Sequence, residues 1–359
     1  MNSIFSKRME KLEKGWQASN SLVIIFNPID IYYFTGFYAE GIDRLIALII
    51  SKDRATLLVP ALHKNEVDNI DNINIVTWDD SVNPWDIVKS LISNHYDVAY
   101  IEKNFPIYAY RLLFNSSQKI EYIDYSIMKL RSIKDEGEIK YLKKAVEISE
   151  KSLKNTVNMI SEGISEKQLA NILNDNLFEN GSSDLAFSTI VSFGPNAANP
   201  HHSPDNTKLL KNECIVIDFG SKYNMYCSDM TRTLFFGVPD DEFLIAYKIV
   251  KNAQEEGYKN ASPHITGQNL DSTVRSIIEK SGYGRYFIHR TGHGIGLSVH
   301  EEPYVDAKNE NLFAQGNTIT VEPGIYIPKK FGIRIEDIVY ITNDGSINLN
   351  SYKHSLEVL

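Results

Sequence analysis

The segment from Thr291 to Pro303, TGHGIGLSVHEEP, places His293 and His300 seven residues apart. A helix would hold the two rings about 10 Å apart, and a strand would point them to opposite faces. Neither arrangement makes both histidines ligands of one metal ion, and the glycines of GHGIG disfavour a helix. We therefore expect one histidine to bind a metal and the other to face a substrate. For either histidine alone, the alternative is a place in the core.

A second segment, ECIVIDFGSKYNMYCSDMTRT, predicts a β-hairpin that carries two carboxylates. Asp218 ends its first strand and Asp229 begins its second. With the turn centred on Tyr223 and Asn224, the two aspartates are expected nearly opposite each other on one face, with Cβ atoms about 5 Å apart.

A third segment, NTITVEPGIYIPKKFGIRIEDIVYI, repeats this pattern with Glu322 and Glu336, which are symmetric about Lys329 in the predicted loop. The alternation of side chains puts Ile319 and Val321 on the face opposite Glu322. This hairpin is therefore also expected to bring two carboxylates together on one face.

Paired carboxylates on a sheet repel each other, and burying them among isoleucines and valines costs further free energy. One alternative is that each pair is solvated at a sheet edge; another is that Arg334 neutralises the second pair. One arginine cannot serve four carboxylates, whereas divalent cations can. Since buried charges are paired or coordinate metals, the two hairpins favour a metal site.

Two more histidines, His201 and His202, lie in the segment SFGPNAANPHHSP. Its glycine, asparagines and prolines predict a loop. A loop held by a rigid scaffold is where catalytic groups often lie. The alternative is an exposed polar turn.

The elements that must position these residues change in character along the chain. Between Ser21 and about Tyr125, predicted strands alternate with helices such as 84–94, which indicates an α/β domain. The predicted strands are 22–26, 43–50, 55–60, 73–76, 97–102 and 119–124. A long amphipathic helical region over 126–160 follows, and we place the domain boundary at its start, between 127 and 128.

The second domain, 128–359, is predicted to begin with helices and to continue with strands. A helix is expected over 165–180, with Ser165 as its cap and Gly181 as its stop. From Phe187 onward strands dominate, interrupted by helices over about 241–257 and 269–281. The two domains therefore combine an α/β fold with an α+β fold.

Composition excludes several classes of function. A length of 359 residues predicts two domains, and a net charge of -9 argues against nucleic acid or an anionic membrane as partner. No apolar run reaches membrane-spanning length, and residues 1–16 indicate an amphipathic helix rather than a signal peptide. We therefore expect a cytoplasmic protein in which Cys214 and Cys227 are reduced, buried thiols.

Together, the motifs VIDFGSKYNMYCSDMTRT, TGHGIGLSVHEEP, TVEPGIY and GIRIEDIVYI resemble, in order, those of the pita-bread metallopeptidases. The resemblance covers nearly the whole chain. RSIKDEGEIKYLKKA and DIYYFTGF are similar to the prolidase (Xaa-Pro dipeptidase) and Xaa-Pro aminopeptidase branch, which carries a creatinase-like N-terminal domain. Methionine aminopeptidases, which usually lack that domain, rank lower. Creatinase shares the fold without these ligands, so its reaction is disfavoured.

The resemblance implies roles for individual residues. The implied metal ligands are Asp218, Asp229, His293, Glu322 and Glu336. In the family Asp229 and Glu336 bridge two metal ions, Asp218 completes one site, and His293 with Glu322 completes the other. Glu322 is the implied general base. The implied substrate-binding residues are His201, His300 and Arg334, with the two histidines also catalytic and Arg334 supporting the carboxylates. His202 receives no role.

The implied activity is metal-dependent hydrolysis of the bond before a proline at the second position of a dipeptide or short peptide, by hydroxide that two divalent cations generate. The oxygen-rich ligands favour Mn²⁺, Co²⁺ or Fe²⁺, although Zn²⁺ can occupy such a site. A dipeptidase is slightly preferred to an aminopeptidase, and the resemblance implies a homodimer. The competing class is a peptide-binding or chaperone module that kept the fold and lost the chemistry.

Overall fold

The structure is a computed structural model that describes residues 4–14, 20–39, 44–51, 54–93, 95–113 and 117–359. The chain divides into two units, Met1–Arg131 and Ser132–Leu359. In the described part of the chain, no helix is both long and apolar enough to cross a lipid bilayer.

The first unit is built on a six-stranded mixed sheet. Its strands are β1 (Ser21–Ile25), β2 (Ala47–Ser51), β3 (Arg54–Pro60), β4 (Asn74–Trp78), β5 (Tyr96–Ile101) and β6 (Ser117–Tyr122), and its helices are α1 (Ile4–Glu13), α2 (Pro28–Thr35), α3 (Lys64–Val67), α4 (Pro84–Leu91) and α5 (Ile107–Leu113). The strand order is β4-β3-β2-β1-β5-β6. Every residue of the central strand β1 is buried, which explains its continuous apolar run.

The predicted α/β domain is confirmed, with all six strands and the helix that begins at Pro84 in place. Where the predictions for the N-terminal helix, the second strand and the helix over 84–94 cover residues 1–3, 15–16, 43 and 94, they lie outside the described residues. Helix α6 (Asp124–Ser132) follows β6 and contains the boundary predicted between 127 and 128, which stays a prediction.

The second unit combines four long helices with two sheets and two short hairpins. The helices are α7 (Glu136–Val157), α8 (Glu166–Glu179), α9 (Asp241–Asn260) and α10 (Gly267–Lys280). The strands are β7 (Ile190–Phe193), β8 (Glu213–Phe219), β9 (Lys222–Tyr223), β10 (Tyr226–Cys227), β11 (Met230–Phe236), β12 (Gly292–Gly294), β13 (Glu301–Val305), β14 (Thr318–Val321), β15 (Gly324–Ile327), β16 (Phe331–Arg334), β17 (Asp337–Ile341), β18 (Ser346–Asn348) and β19 (Glu357–Val358). One sheet has the order β19-β11-β8-β7 and the other β13-β12-β14-β17-β18, while β9-β10 and β15-β16 form the hairpins.

The helical region predicted over 126–160 is interrupted. Helix α6 ends at Ser132, and α7 begins at Glu136 with Asp135 as its N-cap. The Asp135 carboxylate accepts from the backbone N–H of Glu138, while the Glu138 carboxylate accepts from the backbone N–H of Asp135, so the two form a capping box. This reciprocal cap satisfies backbone donors in the first turn of α7 and starts a new helix.

The prediction for the first acidic hairpin is wrong in its register. In the ladder of β8 and β11, Asp218 lies opposite Thr231 rather than opposite Asp229. The turn is centred on Asn224 and Met225, which have φ values of 47° and 69°. These left-handed conformations make the tight two-residue turn that matches strand twist, and they move the turn centre by one residue from the predicted position.

The prediction for the second acidic hairpin is confirmed. Val321 pairs with Asp337 in β14 and β17, and Gly324 pairs with Arg334 in β15 and β16. Both ladders have the register expected for a turn centred on Lys329, which has a φ of 64°. The same register places Glu322 opposite Glu336, at the point where both strands pass from one ladder to the next.

The cores of the second unit lie behind these hairpins. Ile325, Ile327, Ile333 and Ile335 pack with α9 and α10, so the apolar face of the second hairpin is buried and its acidic face points the other way. Both cysteines are free and buried, and burial raises the pKa of the Cys214 thiol to about 12. A buried thiol of this kind is chemically inert.

Candidate active site

The two acidic hairpins and the first histidine segment converge in the second unit. Donor atoms of Asp229, His293 and Glu336 all lie within 4.8 Å of one another. Nε2 of His293 lies 3.3 Å from Oε1 of Glu322 and 3.7 Å from Oδ2 of Asp229. Residues far apart in sequence thus meet in one cluster of oxygen and nitrogen donors.

Arg334 connects Asp218, the fourth carboxylate and fifth candidate ligand, to this cluster. Its Nη2 donates to Oδ2 of Asp218 at 2.5 Å, its Nε donates to Oγ1 of Thr231, and its Nη1 donates to the Tyr326 hydroxyl. Thr231 in turn donates to Oε2 of Glu336 at 2.6 Å. All three guanidinium nitrogens are engaged and the side chain is buried, so Arg334 holds the carboxylates in place.

The cluster contains more carboxylates than the positively charged side chains buried with it can neutralise. Burial first, then repulsion from Glu336, raises the pKa of Asp229 well above its usual range. Burial and repulsion from Glu322 do the same to the pKa of Glu336. Burial raises the pKa of Glu322 to about 7, although the charge of Arg334 opposes the rise. Four carboxylates therefore face one buried guanidinium.

Two oxygens of the cluster also have no hydrogen-bond partner within the described residues. These are Oδ1 of Asp218 and Oδ1 of Asp229, both buried. A buried acceptor without a donor costs about 1–3 kcal/mol, and buried charges are normally paired or coordinate metals. The donor set therefore fits bound cations, which would satisfy these oxygens and reduce the repulsion.

His293 is prepared to act as a neutral ligand. It lies in β12 with 3% of its surface exposed, and burial is the main cause that lowers its pKa to about 3. Its Nδ1 lies 3.1 Å from the carbonyl oxygen of Gly294. Because a carbonyl can only accept, Nδ1 carries the proton, and the lone pair of Nε2 points to the carboxylates.

The glycines beside His293 permit its close approach to neighbouring backbone. A Cβ on Gly292 would lie 2.0 Å from the carbonyl oxygen of Thr320, and one on Gly294 would lie 2.3 Å from that of Glu302. No side chain fits at either position. The glycine pattern around His293 therefore serves strand packing.

His300 lies beside His293 but is exposed. The two ring centroids are 4.3 Å apart with an interplanar angle of 76°. Partial burial, followed by the charge of Arg290, lowers the pKa of His300. His300 and His201 both line a cavity of about 560 Å³ that also contains the acidic cluster. The structure thus brings both candidate substrate-facing histidines to the same cavity.

A buried ion pair holds the strand next to His300. Nζ of Lys134 lies 2.6 Å from Oε1 of Glu301, with 1% and 7% of the two side chains exposed. Lys134 belongs to the short segment between α6 and α7, and its backbone N–H donates to the carbonyl oxygen of Gly316. The interruption of the helical region therefore places a lysine beneath the HEEP segment.

The loop that presents His201 is organised by a carboxylate that the sequence reasoning missed. Glu166, the first residue of α8, has a fully buried side chain. Its Oε1 accepts from the backbone N–H of Phe193 and from Asn196, and its Oε2 lies 2.7 Å from Nε2 of His202 and accepts from the backbone N–H of Asp205. His202 thus fastens the loop to α8, while the neighbouring His201 faces the cavity.

Glu166, His202 and Asp205 form a second group with the donor types that bind metals. Both oxygens of Glu166 already accept hydrogen bonds, and Oδ1 of Asp205 accepts from the backbone N–H of Thr207 at 2.6 Å. Hydrogen bonds therefore satisfy this group, unlike the cluster around Asp229.

Sequence reasoning also missed other residues in the cavity wall and directly behind it. His289 has Nε2 2.9 Å from the Tyr326 hydroxyl, which Arg334 also contacts. Arg290 lines the cavity. Thr231 had a detectable signal, since it lies two residues after Asp229 and a strand puts such residues on one face. His289 and Arg290 had none, because their neighbours come from distant segments.

Comparisons with known proteins match both units. Residues 140–343 match the model of metallopeptidase family M24, and residues 8–133 match that of the creatinase/prolidase N-terminal domain. An uncharacterized peptidase of Staphylococcus epidermidis is 37% identical over 334 residues, which cover 92% of this chain and 94% of the relative.

Solved structures extend the similarity to the three-dimensional fold. A prolidase from Thermococcus sibiricus has a TM-score of 0.91 at 36% identity, with 100% of both chains covered. An X-Pro aminopeptidase from Thermotoga maritima has a TM-score of 0.88 at 32% identity, with 97% of this chain and 100% of that chain covered.

Proposed function

Because the chain belongs to metallopeptidase family M24, we propose that it is a metal-dependent exopeptidase that hydrolyses the Xaa-Pro bond at the N-terminus of dipeptides or short peptides, with a preference for dipeptides. The family membership also confirms the predicted fold class, a creatinase-like N-terminal domain followed by a pita-bread catalytic domain. Among its solved relatives are both a prolidase and an X-Pro aminopeptidase, so the preference for dipeptides is the finer part of the proposal.

The observation that carries the proposal is the convergence of all five proposed ligands on one cavity. In this proposal the residues that hold two divalent cations are Asp218, Asp229, His293, Glu322 and Glu336. Such cations, when bound, supply Lewis acidity and lower the pKa of water towards neutrality. The unpartnered oxygens and the raised carboxylate pKa values support this assignment.

Proton transfer is assigned to Glu322. Its carboxylate lines the cavity and lies 3.3 Å from His293. A carboxylate at this position can take a proton from the attacking water and pass it to the leaving nitrogen. The Thr320 hydroxyl, 3.3 Å from Oε1 of Glu322, orients this carboxylate.

His201 and His300 are assigned to the substrate. Both are exposed to the cavity, where their N–H groups can donate to the scissile carbonyl as negative charge develops on its oxygen. Each of them is attached to a well-anchored segment, His201 beside the His202–Glu166 contact and His300 beside the Lys134–Glu301 ion pair. Anchored donors need little reorganisation during the reaction.

Part of the remaining cavity wall is apolar and suits a proline ring. Phe187, Ile190, Pro200 and Val299 line the same cavity as the acidic cluster. A peptide bond before proline has no N–H, so recognition of this residue depends on apolar contact with the ring. The combination of an acidic centre and an apolar wall supports a substrate with proline at its second position.

The proposal is tested by removing metal with a chelator, returning Mn²⁺ or Co²⁺, and measuring cleavage of Ala-Pro and Ala-Pro-Ala in parallel. Metal-dependent cleavage that favours Ala-Pro supports the dipeptidase, and a preference for Ala-Pro-Ala makes the protein an aminopeptidase. If neither peptide is cleaved after metal has been shown to bind, the hydrolase proposal fails and the peptide-binding module replaces it.

Three further predictions accompany the proposal without deciding it. The oxygen-rich ligand set favours Mn²⁺, Co²⁺ or Fe²⁺, with Zn²⁺ also able to bind. The homodimer implied by the family resemblance and the cytoplasmic location stay predictions. Sedimentation of the purified protein tests the homodimer, and fractionation of cells tests the cytoplasmic location.

A further inference from the structure

Two of the proposed metal ligands lie immediately before the first residues of two strands. Asp229 precedes β11, and Glu336 precedes β17. Donor atoms of the two side chains lie within 4.8 Å of each other, a distance at which two carboxylates repel. Other contacts must therefore hold the starts of β11 and β17 together in the metal-free protein.

Arg232 connects the two strands behind the acidic cluster. Successive residues of a strand point to opposite faces, so Arg232 lies behind Thr231, whose hydroxyl donates to the carboxylate of Glu336. Nη1 of Arg232 donates to the carbonyl oxygens of Thr231 and Glu336, at 2.9 and 2.7 Å. Nη2 of Arg232 lies 2.7 Å from Oδ1 of Asp337, and 3% and 0% of the two side chains are exposed. This buried ion pair thus joins the backbone of both strands directly behind Thr231 and Glu336.

The segment 350–354, between β18 and β19, fastens the same two strands from outside. Oδ1 of Asn350 accepts from the backbone N–H of Ile338 in β17 at 2.8 Å. The carbonyl oxygen of Tyr352 accepts from Nη2 of Arg232 in β11 at 2.9 Å. The segment therefore spans the starts of β11 and β17 on the side away from the acidic cluster.

His354 completes the environment of the buried Asp337 carboxylate. Its Nε2 lies 2.5 Å from Oδ2 of Asp337, which also accepts from Nδ2 of Asn348 at 2.6 Å. Because the carboxylate of this ion pair can only accept, Nε2 of His354 carries the proton and donates. If this donor is removed, the buried carboxylate has to shift to recover a partner. Such a shift moves the backbone of Glu336, the preceding residue.

We propose that His354 is a positioning residue for the metal centre, because by fixing Asp337 it holds Glu336 beside Asp229 in an arrangement prepared for cations. This inference rests on the proposed function and adds to it a residue outside the ligand set. His354 lies outside the cavity lining, so its effect on bound metal passes through Asp337.

The test compares two amide replacements of His354 that differ in reach. The amide nitrogen of glutamine can take the place of Nε2, whereas that of asparagine is one methylene too short to contact Asp337. In calorimetric titrations of the metal-free proteins, His354→Asn is expected to bind Mn²⁺ about 10- to 100-fold more weakly than the wild type, the usual effect of losing a contact that orients a ligand. His354→Gln is expected to keep an affinity close to that of the wild type.

Lys353→Gln is the matched control in the same segment. Lys353 is exposed, and it pairs with Glu357 rather than with the buried ion pair. An exposed ion pair of this kind contributes little, so Lys353→Gln is expected to bind Mn²⁺ as tightly as the wild type.

The visible absorption spectrum of bound Co²⁺ distinguishes a positioning role from a purely structural one, because it reports the geometry of the ligands. At saturating Co²⁺ the spectrum is expected to change in His354→Asn and to match the wild type in His354→Gln and Lys353→Gln. A segment that only stabilises the fold would lower the unfolding temperature of His354→Asn but leave its Co²⁺ spectrum and its affinity for Mn²⁺ unchanged. That result would overturn the role assigned to His354.

The remaining outcomes separate this role from the function on which it rests. An equal loss of Mn²⁺ affinity in His354→Asn and His354→Gln would overturn the assignment, because the donor to Asp337 would not be its cause. A loss in His354→Asn that His354→Gln and Lys353→Gln do not share supports it. If the wild type binds Mn²⁺ but cleaves neither Ala-Pro nor Ala-Pro-Ala, the proposed hydrolysis fails, while the metal affinities still decide the role of His354. If the wild type binds no metal, both proposals fail.

Discussion

The imidazole of His202 lies 2.7 Å from a carboxylate oxygen of Glu166, whose side chain is fully buried. This contact joins the loop that carries His201 to the first turn of α8. Glu166 also accepts from the backbone N–H groups of Phe193 and Asp205 at either end of the loop. One buried carboxylate therefore determines the conformation of the loop that carries His201, the histidine proposed to be catalytic.

Replacing Glu166 by Gln is expected to loosen this loop and to lower activity. The amide keeps one acceptor oxygen, so buried donors lose their partner at a cost of about 1–3 kcal/mol each. We expect faster hydrogen exchange over 193–205 and a kcat for Ala-Pro that falls by about 10- to 100-fold as His201 loses its position. Glu179→Gln, an exposed change at the other end of the same helix, is the control. Unchanged exchange with unchanged kcat would show that the contact is dispensable.

The sequence predicted the second acidic hairpin better than the first, and the turns explain the difference. Glu322 and Glu336 are symmetric about Lys329, and the observed turn has the same centre. In the first hairpin the turn uses Asn224 and Met225, both in left-handed conformations. Methionine rarely adopts this conformation, so the residue types gave no reason to place the turn centre there.

Positions whose roles depend on distant neighbours could not be predicted from sequence. Glu166 has the pattern of an acidic residue in the first turn of a helix, which ordinarily complements the helix dipole. Its contacts with Phe193 and His202 exist only after the strand and loop have packed against α8. Arg290 is similar, because only the folded chain brings it to the cavity beside His300 and Glu322.

Replacing Glu322 by Gln is expected to remove hydrolysis while the fold remains. Because Glu322 is also a proposed metal ligand, the variant is compared with the wild type at saturating Mn²⁺. The amide has nearly the same shape but cannot accept a proton from water, and loss of a general base lowers the rate by about 10²- to 10⁴-fold. Circular dichroism checks that the fold remains, and the cleavage of Ala-Pro checks that hydrolysis is lost. Glu310→Gln, at an exposed position outside the cavity lining, should keep wild-type turnover. Wild-type turnover in Glu322→Gln would instead contradict the role assigned to this carboxylate.

Replacing Arg334 by Lys is expected to weaken metal binding although the positive charge is kept. The guanidinium donates to Asp218, Thr231 and Tyr326 at once, and a single ammonium cannot reproduce this planar arrangement. Loss of such orienting contacts typically lowers metal affinity by about 10- to 100-fold. Titration of the metal-free protein with Mn²⁺ measures the change, with Arg285→Lys as the exposed control. Equal affinity for Mn²⁺ in Arg334→Lys and Arg285→Lys would mean that the positive charge at position 334, and not its planar geometry, supports metal binding.

Acid sensitivity of the second unit is expected to depend on His289. Burial, followed by the charge of Arg334, lowers the pKa of His289 from 6.5 to about 3. His289 binds a proton more weakly in the folded state than in the unfolded state. The neutral ring therefore favours folding above pH 6.5, and this contribution to stability is lost as the pH falls towards 3. The loss approaches about 1.4 kcal/mol per pH unit for one proton.

The variant His289→Gln should therefore show a smaller fall in the unfolding temperature between pH 7 and pH 5 than the wild type, both with metal removed. His264→Gln, at an exposed histidine, should keep the wild-type slope. The measurement requires calorimetry, because the three tryptophans are Trp16, Trp78 and Trp85, and their fluorescence reports on the first unit. If the unfolding temperature falls equally with pH in all three proteins, groups other than His289 control the response to pH. The acidic cluster is foremost among them, because carboxylates with raised pKa values favour folding at low pH and oppose the effect of His289.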